Sequence, residues 1–508
     1  MELYNIFQRE LIPHNALLAG YSYLLQKYNV KSYIRISSSV SKNHIRGNIS
    51  HKNGWCIYDK RYWPGGKDIE HLVFALKHEN FDLLSLKRIL EALHSKEIEN
   101  YIKSRPTGIY ARKIWFLYEW FTEVKLNIPD STKCKIIDIL DNKKYFVAQG
   151  TFHKRYRIRN NLLGTKLFSP VIRRTPDLEM FINFNLKEKA ASLIGTVSKN
   201  LVARAASFLL LADSKASFEI EGERTPASRI ERWGRAVSQA GKYPLTKNEI
   251  FRLQNILIKD TRFTQIGLRK EGVFLGERDN DGNPLPEFIG ARPEDLEILI
   301  DAMIEASNNL GNAQLDPVLH AVAIAFGFVY IHPLEDGNGR IHRYLIHHIL
   351  SERKFSPPGL LFPVSSSMLK YIEKYRDILR NHSLPLMDLI EWDTTEKMNV
   401  KVLGQTSDLY SYFDCTEACE FIYSCVKETI NQDFPEELNY LIGYDRAMER
   451  INNLLDMPDN TIQKLLVFIQ QNNGKLAKNR REKEFAELSD DEVIKIENII
   501  NEAFANNE

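Results

Sequence analysis

Long hydrophobic runs are missing from this 508-residue sequence. Its longest apolar stretch, Ala321–Ile331, has eleven residues. A membrane-spanning helix needs about 20, so this stretch reads as a buried core segment. An excess of charge of one sign is missing too: 68 Lys and Arg face 66 Asp and Glu, a net +2. That balance argues against a chain built to coat phosphate backbones, and nucleic acid is a disfavoured partner. Cysteine is scarce. The five residues Cys56, Cys134, Cys415, Cys419 and Cys425 are odd in number and dispersed, which is not a disulfide framework. Cys415 and Cys419 lie one helical turn apart, with no CxxC or Cys/His pattern beside them. They read as buried reduced thiols, and the expected compartment is the cytoplasm. The first residues, MELYNIFQRELIPH, lack an apolar signal core, so no secretion is expected. No GxxxxGK[ST] phosphate loop and no HExxH motif occur. His342, His347 and His348 cluster in sequence, but 342 and 347 fall on different sides of a helix, a poor zinc set. No repeat of 20–50 residues is found.

The rest of the composition, 44% hydrophobic and 26% charged, is that of a soluble globular protein, and the length suggests roughly two to four domains. The pattern predicts a mainly α chain in three parts: an α+β region over 1–185, a helical core over 186–395 and a helical region over 396–508. In the first part, Leu72–Leu93 and Ile109–Thr122 have helical spacing. Lys144–Val147 and Arg155–Ile158 read as short strands, with Arg155, Arg157 and Arg159 on one solvated face. A boundary is expected near Thr175-Pro176. Leu186–Ser217, Lys247–Ile258 and Pro293–Ser307 read as helices. Between the last two, apolar runs flank the cluster Asp279-Asn-Asp-Gly282-Asn-Pro284, the signature of a β-hairpin. The basic run Lys475–Lys483 is followed by acidic Glu487–Glu492 and reads as a solvated face or a local partner surface.

Chemistry concentrates in His332-Pro-Leu-Glu-Asp-Gly-Asn-Gly-Arg-Ile-His-Arg343. An apolar helix runs into His332, and Pro333 helps to end it. Gly337-Asn338-Gly339 forms a tight loop, and a new helix starts near Arg340. A glycine loop feeding a helix N-terminus presents N–H donors to an anion. Arg340 and Arg343, three apart, reach the same anion. Asp336 beside the loop suits a hard cation such as Mg²⁺ that bridges to phosphate oxygens. His332 at the mouth suits proton acceptance near neutral pH. Together these residues describe nucleotide phosphoryl or nucleotidyl transfer.

HPLEDGNGRIHR resembles the signature of the Fic family, HPFx(D/E)GNGRxxR, at every polar and glycine position; Leu334 stands where Phe is usual. The similarity extends over about Leu186–Asp393. It implies a helical Fic core and AMPylation, the transfer of AMP from ATP, with Mg²⁺, to a Ser, Thr or Tyr hydroxyl of a target protein, self-modification included. By resemblance His332 deprotonates the hydroxyl and Asp336 holds Mg²⁺. Gly337, Asn338 and Gly339 cradle phosphates, and Arg340 and Arg343 bind the β- and γ-phosphate regions. The hairpin around Val273–Phe288 acts as a flap that aligns the target segment by strand pairing. Tyr375 matches a tyrosine near the adenosine pocket.

A second element of the family, the inhibitory motif (S/T)xxxE(G/N), matches Ser217-Phe-Glu-Ile-Glu221-Gly222. By resemblance Glu221 competes with the γ-phosphate for Arg343, and Ser217 belongs to the same helix; Glu219 and Glu223 are the nearest rival carboxylates. The expected function is thus an autoinhibited adenylyltransferase. Two alternatives stay open: removal of AMP at the same site, and a binding or regulatory protein with a vestigial site. No membrane partner is expected.

Overall fold

The computed structural model describes residues 6–505 except 196, 259, 261, 314, 358 and 359. The chain is mainly helical. It divides into two compact units, each assembled from three stretches. One comprises Met1–Asn183, Gln239–Arg353 and Tyr371–Tyr423, the other Phe184–Ser238, Lys354–Lys370 and Ser424–Glu508.

In the first unit, a four-stranded mixed sheet runs in the order Ala16–Leu18, Ser37–Ser41, Trp55–Tyr58, Ile49–Lys52. Ala19, Val40, Cys56, Tyr58 and Phe74 pack together as its buried cluster. The helical spacing expected over Leu72–Leu93 resolves into two helices, Asp68–His78 and Leu83–Ala92. The reason is Asp82, whose carboxylate accepts from the Ser85 amide at 2.6 Å and caps a fresh helix start. Helix Ile109–Thr122 forms as expected. The strand expected over Lys144–Val147 reduces to a single bridge between Tyr145 and Arg173.

The basic strand is a correction. Residues 154–157 form the turn between strands Thr151–His153 and Ile158–Asn160, and Arg157 takes φ +51°. Arg155 points inward: Nε and Nη2 donate to the two oxygens of Glu119 at 2.9 and 2.8 Å, and its guanidinium lies 4.8 Å from the Trp115 ring. A half-buried carboxylate on a neighbouring helix outcompetes strand alternation, because a bidentate charged pair satisfies both groups. Only Arg159 keeps to the solvated face, paired with Asp138.

The centre of this unit is helix Pro317–Ile331, whose residues Val318–Ile331 are all buried. A helix apolar on every side belongs in a core. Asp316 caps it through the Val318 and Leu319 amides. Gly327 is required there: a Cβ would lie 2.3 Å from the Phe168 ring. Strand Ser169–Val171 pairs in parallel with Tyr412–Asp414, so the chain after the core closes back on the N-terminal third. No helix among the described residues is long and apolar enough to cross a membrane.

Among its described residues the second unit holds helices and no strand. Helix Lys199–Glu219 carries Asp213, which is buried and accepts from the amides of Ser365 (2.6 Å) and Ser366 (3.2 Å), so it caps helix Val364–Lys370. Helices Phe434–Leu454, Asp459–Gln471 and Asp490–Ala505 share a core of Ile462, Leu465, Ile469, Ile496 and Ile500. The basic run pairs locally: Lys475 with Glu497 at 2.8 Å, and Arg481 with Asp490.

Candidate active site

The site grows out of the C-terminus of helix Pro317–Ile331. His332 takes φ +54°, ψ +59°, a left-handed cap that turns the chain sharply before Pro333. Its Nδ1 lies 3.2 Å from the Val329 carbonyl. A carbonyl only accepts, so the ring proton sits on Nδ1 and the lone pair on Nε2. The Phe288 ring of the hairpin lies 5.5 Å from the imidazole.

The following loop is held by its own side chains. Asn338 accepts from the Leu334 amide at 3.0 Å and donates back to the Leu334 carbonyl at 2.8 Å. Leu334 is fully buried, so it anchors the loop as the bulkier residue usual in the signature would. Gly337 stands at φ +95° as the N-cap of helix Asn338–Glu352, a conformation that costs other residues strain. Asn338's side chain therefore fastens the loop, and the backbone N–H groups at 338 and 339 are what the helix start offers an anion. Arg340 is buried and donates to Asp336 Oδ1 at 2.6 Å, while the Asp336 carboxyl is 46% exposed. Arg343 is buried three residues further along the same helix.

Asp336 fits a hard cation. Among the described residues no group of three or more His, Cys, Asp or Glu converges on a common point. Mg²⁺ suits such a place, since it typically takes one or two protein carboxylates and completes its shell with water and phosphate oxygens.

Two polar residues outside the motif support it. Gln254, fully buried on helix Lys247–Leu257, donates to the carbonyls of Asp336 and Gln265, both at 3.3 Å, and accepts from the Gly267 amide at 2.8 Å. Arg269 donates to the carbonyls of His332 (2.8 Å), Glu271 (2.7 Å) and Ala291. Burial pushes its pKa down to about 10. Gly290 sits in the same corner, where a Cβ would lie 2.6 Å from Val273 and 3.2 Å from the His332 Cβ. Gln254 had a faint signal, a polar residue on the apolar face Ile250, Leu253, Leu257. Arg269 had none, since two of its three carbonyl partners, His332 and Ala291, come from distant segments.

The expected hairpin is present: Phe274–Arg278 pairs antiparallel with Pro284–Ile289, with an irregularity at Leu275/Gly276, and Asp279 closes the turn on the Asn283 amide. Tyr375 is buried on helix Ile372–Met387, its ring 6.1 Å from both His342 and Phe421. The clustered histidines diverge: His342 Nδ1 meets the Ala325 carbonyl at 2.7 Å, and His348 accepts from the Gly241 amide at 3.3 Å. Ser217 and Glu221 belong to the second unit. Ser217 is buried in the last turn of helix Lys199–Glu219, and Gly222 follows at φ +74°. Of the rival carboxylates, Glu219 meets Lys215 at 3.4 Å and Glu223 meets Arg229 at 2.9 Å.

Residues 244–350 match the model of the Fic/DOC family, inside the span that the signature suggested. The chain is 32% identical over 117 residues to the protein adenylyltransferase Fic of Drosophila virilis, a stretch that covers 23% of this chain and 23% of that relative's length. Among solved structures, a Fic-domain-containing signaling protein of Bacteroides thetaiotaomicron aligns at 18% identity over 51% of this chain and 96% of its own, TM-score 0.36. A Fic family protein of Desulfovibrio desulfuricans aligns at 14% identity over 67% and 91%, TM-score 0.37. The signature thus lies on a glycine turn between two buried helices, inside the one segment of the chain, residues 244–350, that is similar to the Fic/DOC family.

Proposed function

We propose that this protein transfers AMP from ATP to a hydroxyl side chain of a target protein. The observation that carries the reading is the orientation of His332, whose Nδ1 is engaged by the Val329 carbonyl so that Nε2 holds the lone pair. Nε2 takes the hydroxyl proton as the oxygen bonds to the α-phosphorus. The bond from that phosphorus to the bridging oxygen breaks, and pyrophosphate leaves. The amides opening helix Asn338–Glu352, with Arg340 and Arg343, bind phosphate oxygens. Asp336 is the residue that would hold Mg²⁺, which when bound neutralises phosphate charge. The hairpin Phe274–Ile289 presents a strand edge on which an extended target segment pairs. An ATP-dependent reaction of this kind fits the cytoplasm.

The test is incubation with ATP labelled at the α-phosphate and cell lysate. His332→Ala is expected to cut AMP incorporation by about 10²–10⁴-fold while ATP affinity holds; incorporation near the wild-type rate removes His332 from the mechanism. Loss of label from pre-modified protein favours AMP removal instead.

Glu221 belongs to the same proposal as the inhibitory carboxylate, because Ser217-Phe-Glu-Ile-Glu221-Gly222 matches the inhibitory motif. Glu221→Gly is expected to raise AMP incorporation, seen first as self-modification. Adding Arg343→Ala should erase the gain, and equal rates for wild type and Glu221→Gly would exclude inhibition by this residue.

A further inference from the structure

A cavity of about 610 Å³ lies in the first unit, and Tyr330, two residues before His332, is part of its lining. Its walls come from the N-terminal sheet and helices and from the segments around 378–386 and 412–418. This volume is in the range of small-molecule sites. Its charge is lopsided: Glu79, Asp82, Asp414 and Glu417 face only two guanidiniums, Arg35 and Arg173. Both guanidiniums are engaged, Arg173 with Asp414 at 2.8 Å and Arg35 with Glu417. Among the histidines lining it, His382 is held neutral by burial, its pKa pushed down to about 4. The carboxylates without a cation in salt-bridge contact are Glu79 and Asp82, and Asp82 already caps helix Leu83–Ala92.

Glu79 is built in for a reason, and only half of it is used. Its Oε2 accepts from the Tyr21 amide at 2.9 Å and so satisfies an orphan N–H at the start of helix Gly20–Lys27. Gly20 makes room, since a Cβ there would lie 2.2 Å from that oxygen. Oε1 is shielded from solvent and meets no donor in good hydrogen-bond geometry, the Ser38 side chain being its one neighbouring donor among the described residues. The Tyr21 hydroxyl, on a side chain 2% exposed, likewise meets no partner in good hydrogen-bond geometry and has only the Asp82 amide as a neighbouring donor. Both atoms belong to residues that line the cavity. Burial, with Asp82 adding to it, pushes the Glu79 carboxyl up to about 8. Glu79 is also the C-cap of helix Asp68–His78, where the helix dipole opposes negative charge. Aromatic rings share the wall: Tyr33, Tyr58 and Phe81. A carboxyl that gives up its proton when a cation arrives, with aromatic rings in the same wall, is the chemistry that selects an organic cation, by charge and by cation–π attraction.

We propose that this cavity is a binding site for a cationic nitrogen group, an ammonium or guanidinium, which donates to Glu79 Oε1 and the Tyr21 hydroxyl. Two sources share this chemistry, a free small amine and a Lys or Arg side chain of a partner. The proposal does not depend on the transfer reaction.

The test is calorimetric titration of the full chain with agmatine, with the tripeptide acetyl-Gly-Arg-Gly-amide and with N-butylurea, which keeps the donors and lacks the charge. Saturable binding of agmatine, the tripeptide or both is expected, with N-butylurea at least tenfold weaker. Agmatine alone identifies a free amine, and the tripeptide alone a side chain. Glu79→Gln, which preserves the cap on the Tyr21 amide, should weaken binding at least tenfold without lowering Tm. Tyr21→Phe should weaken it severalfold, and it is the second variant should the first fold poorly. His332→Ala should bind as wild type does. No binding of either cation at millimolar concentration, equal binding of N-butylurea, or undiminished binding by folded Glu79→Gln overturns the proposal.

Discussion

The loop at 332–340 and the cavity around Glu79 bury polar groups in the same compact unit by opposite means. The loop's own side chains find partners near in sequence: His332 with Val329, Asn338 with Leu334, Arg340 with Asp336. At the cavity they are far apart: Glu79 with Tyr21, Arg173 with Asp414, and the Arg173 amide with Thr416. The loop's polar atoms hold backbone in place, so its geometry is set before any ligand arrives, the condition for catalysis by positioning. The cavity leaves a carboxyl oxygen and a phenol without a partner in good geometry, and such atoms cost free energy until a ligand meets them. A preorganised site and an unfinished one thus coexist in one unit.

Acid should test both regions at once and give the largest effect. Burial lowers the pKa of His320 to about 3 and of His348 to about 4 in the helical core, and of His71 and His382 to about 4 near the cavity. The unfolded chain takes up these protons near 6.5, so stability is present above that pH and is lost as pH falls towards 4. Tm is expected to fall by on the order of 10 °C between pH 7 and pH 5. Glu79 acts in the other direction, because a carboxyl raised to about 8 when folded lowers stability as pH rises from about 4.5 to 8. Glu79→Gln should therefore exceed wild type in Tm at pH 8, with the margin shrinking by pH 5. An equal margin at both pH values would mean that Glu79 does not titrate there.

Arg269→Ala should break the support of the loop. It strips the carbonyls of His332, Glu271 and Ala291 of a charged donor, and unfolding free energy should drop by on the order of 3 kcal/mol. Arg269→Lys should recover part of the stability but not the forked geometry, so AMP incorporation should stay depressed while Tm recovers. Recovery of both together would reduce Arg269 to a structural role.

Asn338→Ala is expected to cost about 2 kcal/mol, since it removes both bonds to the Leu334 backbone. If the loop is positioned by that side chain, turnover falls with little change in ATP affinity. A loss confined to affinity would instead make Asn338 a direct nucleotide contact.

The helices of the core and the hairpin were legible because local pattern decides them. Ile109–Thr122 has helical spacing, and Asp279-Asn-Asp-Gly282 closes a turn between apolar runs. The signature loop was legible because the restraints made by its own side chains span three to four residues. The break at Asp82 was missed because apolar spacing continues across it, and Arg155 was missed because its partner Glu119 lies on another element.

What the sequence alone determined is the family signature, the order of groups from His332 to Arg343, and the helices around it, since each rests on neighbours a few residues apart. Tertiary structure alone decided that each compact unit is drawn from three separate stretches of chain. It also decided that Gln254 and Arg269 brace the loop and that Glu79 meets Tyr21 beside a cavity. Burial and long-range hydrogen bonds are properties of the packed chain, and no window along the sequence contains both partners.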